Sequence, residues 1–567
     1  MTKEGNKTIP FPGLRPYKES ESDIFFARER EVEDALSILK RYKLVTICGE
    51  SGTGKSSLIH AGILPKLRKG FMGQSGKDWV ICDFRPGISP IENLSYALSE
   101  SGSLYLNSKA KNTDHQNYKS VLENKGDLGL IDLFGASEIY EKKNLLIVID
   151  QLEDLFKYPD LFSSEDSNND DLLFDLVYRS SRYKQASIYF ILAIDTEFIG
   201  KLNSYDRFTE ILNHTQFNLP HLGGAGLEAI CKNTLHKKNI QFSDEVLDQM
   251  ADALKDNPSV LTTIQFFLKR VYEAYSGTMT NEIVYLDAEK IKEFGGFEIT
   301  FENYAESFYE DLDETDKRNF ELLMRSLFSG KPDHATLFYQ TIDYNINLLK
   351  IDIEEITAIV KKIKEAFGDT LDVFKSIIRG LPIEQQKKLS SNDLLCLKYQ
   401  SILKWDRLLK WKSNEDENYE IYEENFTKAR KYPAESLLTA TSLKTAVSWL
   451  KDDLISEEWS KKYSFDFHKT SEYITKSKKA NALQLKKEEE IKTNLIKSKK
   501  RNRAILYTLV SFAFVFLGIL YSVRHKQALK LQAEKALVSQ EKEKVDSLYN
   551  DLNALILLTV SLIPKTG

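Results

Sequence analysis

Gly49-Glu50-Ser51-Gly52-Thr53-Gly54-Lys55-Ser56 decides the reading of this chain, because it completes the pattern G-x-x-x-x-G-K-[ST] between an apolar strand and an apolar helix. Glycines in such a loop let the backbone curl so that its N–H groups face the α- and β-phosphates of a nucleoside triphosphate. Lys55 then reaches the β- and γ-phosphates, and the Ser56 hydroxyl is placed to ligate Mg²⁺. Ser57 opens the helix that follows, whose positive end adds to the attraction. The bare pattern also arises in Gly/Ser-rich loops that bind nothing, so its flanks matter. Leu44-Val45-Thr46-Ile47-Cys48 reads as a buried parallel strand, and Ser57 to Leu64 as a helix that Pro65 ends. The flanks agree with the loop, and ATP with Mg²⁺ is the expected ligand pair.

At 567 residues the chain exceeds one core, and three or four domains are expected. A net charge of -6 gives no global basic field, so nucleic acid is not an expected partner. Cys48, Cys82, Cys231 and Cys396 are scattered without C-x-x-C spacing, which points to a reducing compartment and to no zinc site. Met1 to Lys18 is polar and proline-punctuated, unlike a secretory signal.

A different segment has membrane character. Ala504 to Val523 carries no charge, and as a helix it is about 30 Å long, the thickness of the hydrocarbon layer. Its Leu, Ile, Val and Phe residues favour insertion by roughly 4 to 7 kcal/mol together. A fully buried helix of a large soluble core would have the same composition. Basic flanks argue for the membrane: Lys497, Lys499, Lys500, Arg501 and Arg503 precede the segment, and Arg524, Lys526 and Lys530 follow it. The expectation is a single-pass helix in the cell membrane, with the lipid bilayer as partner and the large N-terminal part cytoplasmic.

The region before it divides in two. Residues 1–40 are a leader with Phe25-Phe26-Ala27-Arg28-Glu29 near its end and an amphipathic helix from Glu31 to Arg41. Apolar runs at Trp79 to Phe84, Leu145 to Ile149 and Ile188 to Ile194 alternate with helical stretches, as in a doubly wound α/β domain over residues 41–225. Ser163 to Asp171 is polar enough to be a solvated loop. From Gly226 to about Lys479 nearly every segment has helical spacing, as in a lid or regulatory region. Lys476 to Arg503 reads as an exposed charged helix, and in the tail, residues 524–567, Leu531, Val538, Val545 and Leu552 recur every seventh position, a weak coiled-coil signal.

A phosphate loop needs a second acid for Mg²⁺ at the end of a neighbouring buried strand. Leu145-Leu146-Ile147-Val148-Ile149-Asp150 supplies it; the alternative is that Asp150 caps a helix beginning near Leu152. The next residue, Gln151, is not a base but can orient a water, with Glu153 or Asp154 close in sequence. Lys55, Asp150, Gln151 and Glu153 are therefore the candidate catalytic set, and slow hydrolysis is expected, which suits a switch better than a motor. The eight histidines are scattered and form no metal or nucleophile constellation.

These residues resemble the STAND class of signal-transducing P-loop ATPases, in the bacterial subgroup called novel STAND NTPase 1. The motifs match in order: Phe11 to Tyr17; Phe25 to Glu29; the phosphate loop running into Ala61-Gly62-Ile63-Leu64-Pro65; Arg85-Pro86-Gly87 with Pro90; Asp150 to Phe156; Gly295-Gly296-Phe297; and Trp405 with Trp411. The resemblance implies an α/β P-loop NTPase domain followed by a mainly helical lid over 226–300, a winged-helix domain over 301–415, and a helical extension with a basic linker over 416–503. The transmembrane helix at 504–523 follows. It also implies that Phe26 and Arg28 lie by the adenine and ribose, that the closed resting state holds nucleotide, and that a stimulus permits exchange and homo-oligomerisation with an unknown protein sensor or effector. A role in bacterial stress or phage defence fits the class by analogy.

Departures from the family pattern keep alternatives open. Ala27 stands where the family usually has Gly, Thr262 where a lid proline is expected, and Asp195 where an Arg usually ends its strand. A carboxylate there would repel a γ-phosphate. Lys398-Tyr399 replaces a winged-helix His-Glu. A nucleotide-binding scaffold that no longer hydrolyses is the second reading, and a transport or motor ATPase the third.

Overall fold

Leu44–Gly49 (β1), Trp79–Phe84 (β2), Asn144–Ile149 (β3) and Ile188–Asp195 (β4) join Gln216–Asn218 (β5) in one sheet of order β2-β3-β4-β1-β5. The structure is a computed structural model that describes residues 9–71, 77–87, 89–100, 115–157, 167–235, 239–257, 260–275, 283–328, 339–367, 371–374, 394–397, 405–431, 437–452, 454–463 and 465–560. Every pairing in the sheet is parallel, with Thr46 opposite Leu192 and Val148 opposite Ile191. Strands β1 and β3 are buried at every residue, which is why they read as continuous apolar runs: helices cover both faces. Leu44 and Cys48 enter one hydrophobic cluster with Phe190 and Phe208. Val45 and Ile47 enter the other, against Val32, Leu36 and Leu39 of helix α1 (Glu29–Tyr42). Burying each such side chain stabilises the fold by about 1.5–3 kcal/mol.

Helix α2 follows the phosphate loop as Lys55–Ser57, a π-helical turn Leu58–Ile63, and Leu64–Arg68. The Leu64 N–H bonds to the Ile59 carbonyl, five residues back. Pro65 was expected to end this helix; instead the helix continues through it to Arg68, because the widened turn relieves the clash a proline ring makes in regular α geometry. Gly62 is needed in that turn. A Cβ there would lie 2.5 Å from Val32 Cγ2 and 3.3 Å from Phe25 Cε1, so the bare backbone lets α1 and the leader press against α2.

The polar stretch read as a loop, Ser163 to Asp171, is a helix from Ser167 onward. Its residues enter helix α4 (Ser167–Arg182), behind the short helix α3 (Asp154–Lys157), and Asp170 sits in the first turn of α4, where the helix dipole favours an acid. The remainder of that stretch lies outside the described residues.

Past the sheet, Gly224–Thr234 (α5), Asp244–Asp256, Val260–Tyr275 (α6) and Ala288–Glu293 surround two short parallel strands, Ile240–Phe242 (β6) and Val284–Leu286 (β7). Their core takes in Phe11 of the leader beside Met250, Phe267 and Tyr272. Gly296–Glu310 (α7), Glu314–Ser326 (α8), Ile342–Leu349, Ile353–Phe367 and Asp406–Lys431 (α9) follow. A three-stranded antiparallel sheet, Tyr339–Thr341 (β8), Leu371–Phe374 (β9) and Leu394–Leu397 (β10), pairs in the order β8-β10-β9. Trp405 and Trp411, 5.5 Å apart, are packing residues in an aromatic core with Phe320 and Phe367. The region was expected to be helical nearly throughout; its strands escape notice because three or four residues are too short to display a period of two. Lys398 and Tyr399 lie outside the described residues.

Two units divide the chain: 1–436 with 444–473, and 437–443 with 474–567. Helix α10 (Phe467–Val560) contains the one stretch among the described residues that is long and apolar enough to cross a membrane. None of that stretch is buried in the protein; Phe512, Phe514 and Phe516 are all exposed. Leu531, Val538, Val545 and Leu552 are exposed on the same helix.

Candidate functional site

The phosphate loop leaves the buried end of β1 and turns at Gly52 (φ 82°) and Gly54 (φ 96°), left-handed angles that cost a residue with a Cβ about 1–2 kcal/mol. The Thr53 hydroxyl and N–H both bond to the Glu50 carbonyl, at 2.8 and 3.3 Å, which closes the turn. Lys55 is buried and donates to the carbonyls of Gly49 (2.6 Å) and Glu50 (3.0 Å), so its ammonium is held against the loop itself. The Glu50 side chain faces away, 3.8 Å from His221. Burial lifts the neighbouring Cys48 thiol to about 12, which keeps it protonated and unreactive.

Strand β4 lies between β1 and β3, and it sets the spacing at which Asp150, just past β3, meets the loop. Ser56 Oγ donates to Asp150 Oδ2 at 2.7 Å, across 94 positions of sequence. Asp150 Oδ1 is buried and has no hydrogen-bond partner among the described residues. A carboxylate with one oxygen on a hydroxyl and the other unfilled is costly in a protein interior unless a cation or donor joins it. A hard divalent cation that also takes phosphate oxygens fits that set: Mg²⁺ is held by one or two carboxylates plus phosphates rather than by an all-protein cage.

Gln151 has φ 61°, a left-handed backbone at a residue that carries a Cβ. The adjacent Leu152 N–H bonds to the Ala193 carbonyl of β4 at 2.9 Å, which holds the turn in place. Strain of this kind collects at functional sites. Glu153 is buried; its Oε2 accepts the Asp195 N–H at 3.1 Å and its Oε1 lies 3.5 Å from Lys157 Nζ. The Asp195 carboxylate is turned to the next helix, where it caps the Glu197 N–H at 3.1 Å.

A cavity opens above these groups. Lys55, Ser56, Asp150, Gln151, Glu153 and Lys157 form one part of its wall, and Leu14, Phe26, Leu222, Leu227, Leu261 and Leu268 form an apolar part. Of the residues expected from sequence, Ser51, Gly52, Thr53, Gly54, Ser57 and Arg28 also line it, whereas Gly49 and Glu50 do not. Arg28 is engaged from behind, donating to Pro220 O (2.8 Å), Thr53 O (3.3 Å) and Glu31 (3.0 Å). It therefore braces the phosphate loop.

Sequence reasoning brought the leader to the site only at Phe26 and Arg28, and it missed three further contributors to the wall. An earlier part of the leader, Leu14 to Tyr17, passes beside it, with the Tyr17 N–H on Ser57 Oγ at 3.2 Å. Helix α6 brings Leu261, Thr262 and Gln265, and α3 brings Lys157. Only the leader had a signal, in the ordered motif from Phe11 to Tyr17.

A family model described as Novel STAND NTPase 1 matches residues 10–436. No curated protein matches. Among solved structures, the chain is similar to the ORC2 protein of Aeropyrum pernix in its ADPNP–ADP complexes, with 13% identity, TM-score 0.39, and 73% of this chain and 98% of that one covered. It is similar to CDC6P of Pyrobaculum aerophilum, with 12% identity, TM-score 0.31, and coverage of 68% and 94%. A third is a Walker-type ATPase of Pyrococcus abyssi, with 14% identity, TM-score 0.32, and coverage of 62% and 92%.

Proposed function

The chain belongs to the novel STAND NTPase 1 family, and from that premise we propose that it is a membrane-anchored, ATP-binding signalling switch that hydrolyses ATP slowly. The observation that carries the reading is the meeting of Ser56 with Asp150 at 2.7 Å, with the second Asp150 oxygen buried and unfilled. Loop N–H groups and Lys55 would bind the phosphates, and Ser56 and Asp150 would hold Mg²⁺. When bound, the ion offsets the charge of the β- and γ-phosphates. The apolar wall from the leader and α6 suits a nucleobase, so the ligand would be held between the sheet domain and the helical region, with 226–300 as lid.

Hydrolysis joins a water oxygen to the γ-phosphorus as the bond to the bridging oxygen breaks and ADP leaves. Gln151 can orient that water but cannot take its proton, so the base would be the displaced Glu153, one oxygen of which is held by the Asp195 N–H. Turnover is slow for that reason. Residues 301–415, whose described elements run two helices, a strand, two helices and two strands before α9, would be a winged-helix domain. Its movement would pass through 416–503 to the membrane helix at 504–523, with homo-oligomerisation and a partner protein completing the signal.

A second reading, a scaffold that binds nucleotide without turnover, draws on Asp195, whose carboxylate serves its own helix. Purified full-length chain in detergent or lipid nanodiscs separates the two by bound nucleotide, Mg²⁺-ATP affinity and turnover, measured beside Lys55→Ala. Binding that depends on Lys55 with slow turnover is expected. Binding without turnover would favour the scaffold, and a chain that binds no nucleotide would sink both.

A further inference from the structure

Among the described residues, four with cationic side chains line the cavity: Arg15, Arg28, Lys55 and Lys157. Three have evident duties. Arg15 is in a two-pronged pair with Glu21 at 2.6 and 2.8 Å, Arg28 braces the loop, and Lys55 is the phosphate-loop lysine. Lys157 alone comes from the segment that carries Asp150, Gln151 and Glu153, at the end of the short helix α3. Its ammonium is 3.5 Å from Glu153 Oε1, beyond good hydrogen-bond length, and 5.5 Å from the centre of the Phe198 ring. The side chain is 19% exposed and lines the cavity.

We propose that Lys157 contacts the γ-phosphate and makes the site distinguish ATP from ADP, an inference that rests on the nucleotide-binding reading above. In phosphoryl-transfer sites a further cationic side chain commonly joins the loop lysine and the metal ion at the terminal phosphate, and the end of β4, where such a charge could stand, carries Asp195 instead. Lys157 supplies the charge from the neighbouring strand's loop. Its present partner is easily exchanged: a long single ion pair gives way to a charge-assisted hydrogen bond with a phosphate oxygen. The exchange frees one Glu153 oxygen, while the other stays on the Asp195 N–H. The presence of the γ-phosphate would thus be registered at the end of β4. ADP lacks that group and leaves the Lys157–Glu153 pair in place.

The test is the affinity of full-length protein in nanodiscs for Mg²⁺-ATP and for Mg²⁺-ADP, in wild type, Lys157→Met and Lys157→Arg, with circular dichroism confirming folding. Lys157→Met is expected to lose about tenfold or more in ATP affinity with ADP affinity unchanged. Lys157→Arg is expected to keep most of the preference. If Lys157→Met binds both nucleotides as wild type does, or weakens both equally, Lys157 only neutralises Glu153 and the proposal falls while nucleotide binding stands. Wild-type protein that binds neither nucleotide would remove the proposal and the reading beneath it together.

Discussion

Asp150 and Glu415 are buried carboxylates in the same compact unit, 5% and 0% exposed, and their surroundings are opposite. Glu415 is finished. Its Oε1 accepts from Arg325 at 2.9 Å, and its Oε2 from Trp459 Nε1 at 2.9 Å and Lys462 at 3.4 Å, while Arg325 also reaches Asp452 at 2.8 Å and Lys462 the Phe328 carbonyl at 2.9 Å. These contacts fasten α8 and α9 to the segment before α10. Asp150 is unfinished, with one oxygen on Ser56 and the other without a partner among the described residues. Equal burial therefore has two meanings: a closed network fixes a shape, and an open valence waits for a ligand.

The comparison can be broken most forcefully at Glu415. Replacing it by Leu leaves the buried Lys462 without its counter-charge and Arg325 with only Asp452 and Glu321, and should cost about 3–5 kcal/mol, read as a large fall in the thermal midpoint of full-length protein. Burial already pulls the Lys462 ammonium below its usual range. A folded-state pKa below the unfolded one means that this lysine's penalty is greatest at low pH and is relieved as pH rises through the folded value. Asp150→Asn, by contrast, should leave the midpoint unchanged or higher. A large loss there would make Asp150 another structural anchor.

Strain near the cavity sharpens the same contrast. Ala27 has φ 67°, and the position next to the bracing Arg28 thus demands what the family's usual Gly provides. Ala27→Gly should stabilise the fold by about 1 kcal/mol in thermal or denaturant unfolding; a loss would show that the left-handed angle is not maintained in solution. The smallest effect is expected at Glu21, whose carboxyl is held below its ordinary range, chiefly by hydrogen bonding to Arg15. A lowered folded pKa gives stability that is complete above the unfolded carboxylate pKa and is lost as pH falls through the folded value. Glu21→Gln should flatten that acid limb and cost under about 1 kcal/mol at neutral pH, because Arg15 is partly exposed. An unchanged acid limb would remove this pair from the account.

The phosphate loop, β1 to β4 and Asp150 were legible because each is a local pattern: fixed spacing, a continuous apolar run, an acid closing one. The meeting of Ser56 with Asp150 was legible only as an expectation drawn from that pattern. What stayed hidden depends on contacts distant in sequence or on very short elements. Strands β5 to β10 have no room for periodicity, Pro65 looked like a stop until the π-helical turn absorbed it, and Lys157 became a wall residue only when α3 folded beside the loop. Glu415, one acid in the charged helix α9, gave no sign that it would be the most enclosed carboxylate of its network.

The most direct test of the central claim is the ATP affinity of full-length protein, titrated with and without Mg²⁺, for wild type and Asp150→Asn. Wild type should bind ATP more tightly with Mg²⁺, by about tenfold or more, and Asp150→Asn should lose most of that difference while remaining folded. ATP affinity indifferent to Mg²⁺ in wild type, or a Mg²⁺ effect undiminished in Asp150→Asn, would contradict the claim that the open oxygen of Asp150 belongs to a nucleotide-bound cation.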